Sequence, residues 1–527
     1  MSPILCVSIL SLTLAAAALA TPLSTSHQYN GRRGSPLYIA PLRIAEHEAP
    51  HGLVNNSYIV MLKKDLPLAA LDNHYNFVHA AHAEDPHVDD ESGIRHIFDS
   101  HIRGYTGKFT DQVLQRIREM PEVDYVERDQ IVKTQETQKG SPWVRHNALI
   151  SPCEWLIVLS TPNKQGLARI SHRPKLTPGT FTKYEYDADA GKGVDVYVID
   201  TGININHNEF GGRASWGKTI PRNDVDEDNN GHGTHCAGTI ASRKYGVAKA
   251  ANVIAVKVLG SNGSGSMSDV IEGVLFAAKS AAEKAMAAAA ERKPTGSTKH
   301  KGSVANMSLG GGKSQALDDA VNGAVDSGLH FAVAAGNDNR DACSYSPAGA
   351  GKAVTAGAST LGDERSYSSN LGPCVDVFAP GMNIPSTWIG SKDAQNTISG
   401  TSMASAHTAG LLAYLLSIYP SATFDPSVTS GSPVPSPSLE LDTQRLFTGS
   451  FTRLYHSVYS VMPGRVSGFM PPPRLIEAIT AAPIVPKPLS PADLKSALIR
   501  LASKGLLAQI PNNTVNLLVF NNFTGNS

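Results

Sequence analysis

Val194-Asp195-Val196-Tyr197-Val198-Ile199, running into Asp200-Thr201-Gly202, decides the fold. A nearly continuous β-branched and aromatic run of this length, stopped by a glycine turn, is a strand buried on both faces. Downstream, Asn252–Leu259, Ser303–Leu309, His330–Ala335 and Val375–Phe378 have the same character. Between these runs, helical spacing covers His232–Ser242, Ser268–Arg292, Gln315–Ser327 and Ser402–Tyr419. Short apolar strands alternating with helices predict an α/β fold, a parallel sheet with helices on both faces. In such sheets ligands bind at the carboxyl ends of the strands. The helix from Ser402 is apolar almost all round and ends at Pro420, so it is predicted to lie in the core. Residues 421–489, rich in Ser, Pro and Thr, read as a peripheral elaboration. The core resumes at Ser490-Pro491-Ala492-Asp493, a capping serine with proline at the first helical position, and Val515–Phe520 reads as a last strand.

Upstream the pattern is different. Tyr58–Leu62 reads as a strand, Phe109–Met120 as a helix stopped by Pro121, and Val123–Glu127 as a second strand. These predict a small α+β unit at about 57–135. Polar Lys133–Gly140 then reads as an exposed linker open to proteolysis. Residues 21–50 read as a poorly ordered leader. The apolar run Ile4–Ala20, ending Ala18-Leu19-Ala20, has the small residues of a signal-peptidase site and is short for a membrane span. No Lys or Arg precedes it, and a buried N-terminal helix is the competing reading.

The chain has 527 residues, 41% of them hydrophobic, which suits at least two folding units. Lys+Arg and Asp+Glu are both 46, so the charge gives no sign of a nucleic-acid or anionic-membrane partner. Of the five cysteines, Cys6 lies in the apolar leader and Cys153 in an anomalous stretch taken up below. Cys236, Cys343 and Cys374 allow one bridge and one free thiol in an oxidising compartment. Cys343–Cys374 is the preferred pair, and three buried thiols are the alternative.

Four segments carry chemistry. Asp200 closes the first strand and puts a carboxylate at the functional edge of the sheet, although strand-end Asp residues often only cap a turn. Gly231-His232-Gly233-Thr234-His235-Cys236 opens a helix, with glycines on both sides of His232. His232 reads as a general base; a metal site of His232, His235 and Cys236 is the weaker alternative, because the zincin spacing and its Glu are absent. Gly400-Thr401-Ser402-Met403-Ala404 puts a serine where a glycine turn enters the buried helix. Free N–H groups there favour an oxyanion formed at that serine, whereas a plain N-cap is the bland reading. Asn337, in Ala334-Ala335-Gly336-Asn337, can donate to a developing oxyanion or simply make a turn.

Together with Ser308-Leu309-Gly310-Gly311, these segments resemble the subtilisin family of serine proteases, and within it the proteinase K branch with its fungal cerevisin-type members. The order Asp, His, Ser matches that family. The resemblance covers roughly residues 166–420 and 490–524. It implies a serine endopeptidase with Ser402 as nucleophile, His232 as general base and acid, and Asp200 orienting His232. Asn337 and the Ser402 N–H would form the oxyanion hole. Ser308, Leu309 and Gly310 would pair with the substrate backbone and Gly263 would line its other side, while Ala334 and Gly336 would wall the pocket for the residue before the scissile bond. It further implies residues 1–20 as signal peptide, 21–140 as an inhibitory propeptide and 141–527 as the catalytic domain. The implied molecule is an autoprocessed zymogen of the secretory pathway, extracellular or vacuolar, and a monomer with no membrane or nucleic-acid partner. Its partners would be protein and peptide substrates and its own propeptide as intramolecular inhibitor. No cofactor is required, but Asp376 matches a calcium-binding carboxylate of the proteinase K branch, whose remaining ligands are backbone carbonyls.

Two departures stand out. The family has Pro at the position of Ala406, which predicts weaker pre-organisation. Residues 144–165 interrupt a run in which Ser141-Pro142-Trp143 would continue straight into Gly166-Leu167-Ala168. Val can be encoded with GT and Gln as CAG, the usual ends of an intron, so the stretch reads as a retained intron, with a surface loop as the alternative. An inactive subtilisin-like binding protein is the competing function.

Overall fold

The computed structural model describes residues 38–44, 49–87, 92–137, 165–295, 298–421, 423–426, 455, 457–459, 471 and 488–523. The expected signal peptide, Cys6, Cys153, most of the 144–165 stretch and most of 421–489 lie outside them. The chain divides into two compact units.

The first holds most of 38–43, 55–97 and 103–128. Its strands are β1 (Leu42–Arg43), β2 (Leu53–Leu62), β3 (Gly93–Asp99), β4 (Arg103–Lys108) and the start of β5 (Val123–Thr134), with helices α1 (Leu68–Glu84) and α2 (Asp111–Arg118). β2 and β4 run antiparallel with Ile59 opposite Thr106, and β1 lies parallel to β5 with Leu42 beside Val126. Thr110 caps α2 by accepting the Val113 N–H. Val113 and Ile117 then face Val60, Tyr105 and Val126 in a core of the unit's own. α1 was not predicted. Its buried stripe is Leu71, His74, Val78 and Ala81, and a histidine takes an apolar place there by meeting Tyr105 Oη at 3.1 Å.

The second unit holds 129–523, with Ile44–Val54 and Phe98–Ile102. Its elements begin with α3 (Gln165–Ser171), β6 (Val194–Asp200), β7 (Ala214–Thr219), α4 (His232–Ala241), β8 (Asn252–Lys257), β9 (Ser264–Ser266) and α5 (Met267–Thr295). β10 (Gly302–Met307), β11 (Leu309–Gly312), α6 (Gln315–Asp326), β12 (His330–Ala334), β13 (Tyr345–Ser346), β14 (Val354–Ser359) and β15 (Val377–Pro380) follow. The last are β16 (Ile384–Thr387), β17 (Gln395–Ile398), α7 (Thr401–Ile418), α8 (Pro491–Leu501), β18 (Ser503–Lys504) and β19 (Leu517–Leu518).

The main sheet has the order β18-β19-β15-β14-β12-β10-β6-β8-β7 and is parallel from β19 to β7. Period-two alternation sends Val194, Val196 and Val198 to the face covered by α4, α7 and α8. α5 and α6 pack against each other and on β6, β10 and β12. The fold is therefore the predicted parallel sheet clothed by helices. α7 is buried along its whole length, with Leu411 and Leu415 fully enclosed. Truncating one such leucine to alanine costs about 2–5 kcal/mol, so the start of this helix is rigidly seated.

Two expectations need correction. Lys133 and Thr134 are strand and not linker: Lys133 is exposed as expected, but β5 runs on through both residues and pairs on both sides within this unit. The last strand is shorter than expected, with only Leu517–Leu518 paired.

Candidate active site

The carboxyl ends of β6, β10 and β12 bring Asp200, Ser308 and Ala334–Asn337 to one edge of the sheet, where α4 and α7 also begin. Asp200, His232 and Ser402 are all completely buried. Asp200 Oδ1 accepts the Thr201 N–H at 2.8 Å and lies 2.7 Å from His232 Nδ1. Burial alone would depress the His232 imidazole. The Asp200 carboxylate and, after it, the Cys236 sulfur together outweigh burial and hold the ring's pKa well above the ordinary histidine value.

The glycines around His232 are required by close packing. A Cβ on Gly231, whose φ is +101°, would meet the Trp388 indole at 2.6 Å, and one on Gly233 would lie 2.2 Å from the Gly202 carbonyl oxygen. His235 is buried and bonds the Ile384 carbonyl at 2.9 Å, and His407 bonds the Met403 carbonyl at 2.9 Å. Burial lowers their pKa values to about 3 and about 4. Liganding atoms of Asp200, His232 and Cys236 lie within 4.8 Å of one another. However, His232 Nδ1 already faces Asp200 and His235 is occupied elsewhere, so the metal reading loses its histidine pair.

Ser402 sits one residue inside α7. Its Oγ donates to the Ser308 carbonyl at 3.1 Å, and Ser308 Oγ donates to the Ser402 carbonyl at 2.9 Å. Asn337 Oδ1 accepts the Thr401 N–H at 3.0 Å. Among the described residues, three buried polar atoms here have no hydrogen-bond partner: Asp200 Oδ2, His232 Nε2 and Asn337 Nδ2. Unpaired buried groups are costly, and several converging on one edge mark a site built for something else to complete.

The chain's own residues 131–137 run through this site. Ile131, Val132 and Lys133 pair antiparallel with Ser266, Gly265 and Ser264 of β9. Lys133 and Thr134 pair antiparallel with Gly310 and Leu309 of β11. Thr134 N donates to the Gly263 carbonyl at 3.1 Å, and Gln135 N donates to the Ser308 carbonyl at 3.0 Å. The Gln135 carbonyl then accepts the Ser402 N–H at 3.1 Å, and Thr137 N donates to the Ser399 carbonyl at 2.8 Å. A Cβ on Gly400 would lie 2.4 Å from the Gln135 carbonyl oxygen and 3.2 Å from Asn337 Nδ2, so both face one small space that only glycine leaves open. Nearby, Gly336 has φ +104°, and a Cβ there would collide with Asn370 Nδ2 at 2.2 Å. Asn370 holds this turn by bonding the Gly336 and Ala335 carbonyls.

Asp228 was missed. It is buried and seats the start of α4: Oδ1 accepts from Thr201 Oγ1, Asn230 N and Gly231 N, and Oδ2 accepts from Thr234 N and Thr234 Oγ1, all at 2.6–3.1 Å. Its only signal is an Asp shortly before a Gly-His-Gly helix start, inside a run that otherwise reads as an acidic loop. Three other expected residues lie elsewhere. Cys343 and Cys374 are joined by a disulfide with Cα atoms 5.2 Å apart. Asp376 is paired with Lys495. Cys236 is free and buried beside His232, its sulfur 4.0 Å from Nδ1, and burial pushes its thiol pKa up.

Comparison with known proteins gives the following. Residues 191–430 match the subtilase family, and residues 57–135 match the peptidase inhibitor I9 family. A subtilisin-like serine protease of Cochliobolus lunatus is 48% identical over 489 residues, 89% of this chain and 80% of the relative. One from Penicillium citrinum is 45% identical over 520 residues, 95% of this chain and 93% of the relative. A subtilisin-like protease of Coccidioides posadasii is 47% identical over 486 residues, 89% of this chain and 81% of the relative.

Proposed function

The chain belongs to the subtilase family, a subtilisin-type serine endopeptidase carrying an I9 propeptide, and from that premise we propose that Ser402, His232 and Asp200 act as its catalytic triad and that its first substrate is its own Gln135–Glu136 bond.

The observation that carries this reading is the Gln135 carbonyl, held 3.1 Å from the Ser402 N–H beside the unpaired Asn337 Nδ2. That is the ground-state position of a carbonyl about to become an oxyanion. Ser402 Oγ swings from the Ser308 carbonyl to His232 Nε2, which takes its proton as Oγ attacks the Gln135 carbonyl carbon. The oxyanion draws on the Ser402 N–H and Asn337 Nδ2. Asp200 stabilises the imidazolium. His232 then gives its proton to the Glu136 amine, the Gln135–Glu136 bond breaks, and an ester joins Gln135 to Ser402. Water, deprotonated through His232, hydrolyses the ester and returns the serine. The same cycle cleaves other peptides once the cleft is vacated.

In this reading the N-terminal propeptide guards the enzyme along the secretory pathway, extracellular or vacuolar, and inhibits it until removed. The apolar N-terminal run and the Cys343–Cys374 bridge support that route. No helix among the described residues is long and apolar enough to cross a membrane.

The test is to incubate purified precursor alone and sequence the first new N-terminus. We expect it at Glu136 in the wild type, with Ser402→Ala remaining full length and refusing a fluorophosphonate label. Normal cutting of Ser402→Ala with no other protease present would overturn the assignment of the nucleophile. A first cut elsewhere, still dependent on Ser402, would overturn only the bond.

A further inference from the structure

The calcium expected at Asp376 meets an occupied place. Asp376 stands just before β15, and its Oδ2 also accepts the Thr355 N–H at 2.8 Å. Lys495, on α8, brings its ammonium 2.8 Å from Asp376 Oδ2, 2.6 Å from the Ala353 carbonyl oxygen and 2.9 Å from the Gly351 carbonyl oxygen. Both side chains are about four-fifths buried, at 18% and 20% exposure.

One carboxylate and two backbone carbonyls converging on a point form the hard oxygen donor set that suits calcium. An ammonium carries three N–H donors, and here each oxygen receives one. A calcium ion binds such oxygens at about 2.3–2.6 Å, so it would occupy the same volume as Lys495 Nζ. Ion and ammonium exclude each other, and the residues as they stand do not fit calcium.

We infer that Lys495 is a tethered cation that takes the place of calcium in this chain, locking α8 onto the Gly351–Ala353 turn and the start of β15. The anchor is reinforced by Leu494, Ala497 and Leu498, which are buried on the same helix. Two things follow. Stability at this position needs no dissolved calcium. And removing the ammonium uncovers a latent divalent-cation site, whose few protein oxygens place it at about 10⁻⁴–10⁻³ M affinity.

The experiment uses the full chain carrying Ser402→Ala, so that heating causes no self-digestion. Tm is measured in EDTA and in millimolar calcium chloride, and bound ions are counted by calorimetric titration. The parent is expected to show no calcium response that depends on Asp376. Adding Lys495→Ala should lower Tm by several degrees in EDTA, because a largely buried carboxylate is left without its counter-charge. Calcium should restore part of that loss, with one more ion bound than in the parent, and Asp376→Asn on top should abolish both gains. If Lys495→Ala fails to fold, the parent and its Asp376→Asn variant decide alone: the inference requires identical calcium responses. It is overturned if calcium raises the parent's Tm and Asp376→Asn removes that rise. It is equally overturned if Lys495→Ala is as stable as the parent in EDTA and binds no additional ion.

Discussion

Replacing Asn337 by alanine tests the proposed oxyanion hole with a magnitude set by the structure. Asn337 Nδ2 is buried and unpartnered, so its loss of hydration is already incurred in the resting enzyme and its hydrogen bond is realised in the transition state. The companion donor, Ser402 N–H, is untouched. Removing one such donor costs about 2.7–4 kcal/mol, or about 10²–10³ in kcat, a range taken from a member of this same family. KM should hardly move. A second effect is separable. Asn337 Oδ1 accepts the Thr401 N–H at 3.0 Å, and losing that bond costs about 1 kcal/mol of stability, roughly 1 °C in Tm for a unit of this size. Such a fall leaves the enzyme folded at assay temperature. The assay is a chromogenic peptide, with kcat and KM resolved, run alongside the rate of self-cleavage. Since the Gln135 carbonyl sits in the same hole, self-cleavage should slow by the same factor. A change confined to KM, or self-cleavage at the wild-type rate, would refute the reasoning.

Three further outcomes are expected. Because Asp200 raises the His232 pKa, the folded enzyme keeps that proton above the ordinary value of 6.5; the acidic limb of kcat/KM should lie above pH 6.5, and the pair's contribution to stability, present below 6.5, should fade as pH rises through the folded value. Asp200→Asn should move that limb to lower pH and cut kcat by about 10⁴, and a pH–rate profile with an unmoved limb would contradict the origin of the shift. Asp228→Ala should unseat the start of α4 and lower kcat/KM by about 10², with Asp228→Asn intermediate; wild-type kinetics in the alanine variant would show that Asp228 does not position His232. In glycopeptide mapping, Asn306 should stay bare, since it is fully buried and bonded to Ser308 Oγ and Ser405 Oγ. Asn512 is exposed, whereas the Asn522 amide is engaged with the Thr423 carbonyl, so Asn512 should carry more sugar than Asn522.

What could be read from residues alone follows from how each element is stabilised. Strands such as Val194–Asp200 are buried on both faces, so their interior position is written in composition. Asp200, His232 and Ser402 draw notice because each stands within two residues of a glycine where such an element begins or ends. β14 was invisible because Val354–Ser359 is built of small residues that let helices approach closely. β5 was cut short because Lys133 and Thr134 hold their place through backbone pairing, which side-chain pattern does not record. Asp228 and Lys495 were not singled out from the sequence. Their roles come from neighbours that only the folded chain supplies: the start of α4 for one, a carboxylate 119 residues away for the other.

The slot between β9 and β11 has a consequence for diet. Residues 131–135 are held by main chain as the middle strand of three, with the Val132 and Gln135 side chains buried besides. A victim must therefore offer a fully stretched segment free of its own secondary structure. Helices and sheets within a native globule are spared whatever their side chains, and become digestible on unfolding. On the proposed cleavage, proline at either of the last two places before the bond would forfeit one hydrogen bond, because the Thr134 and Gln135 N–H groups reach the Gly263 and Ser308 carbonyls.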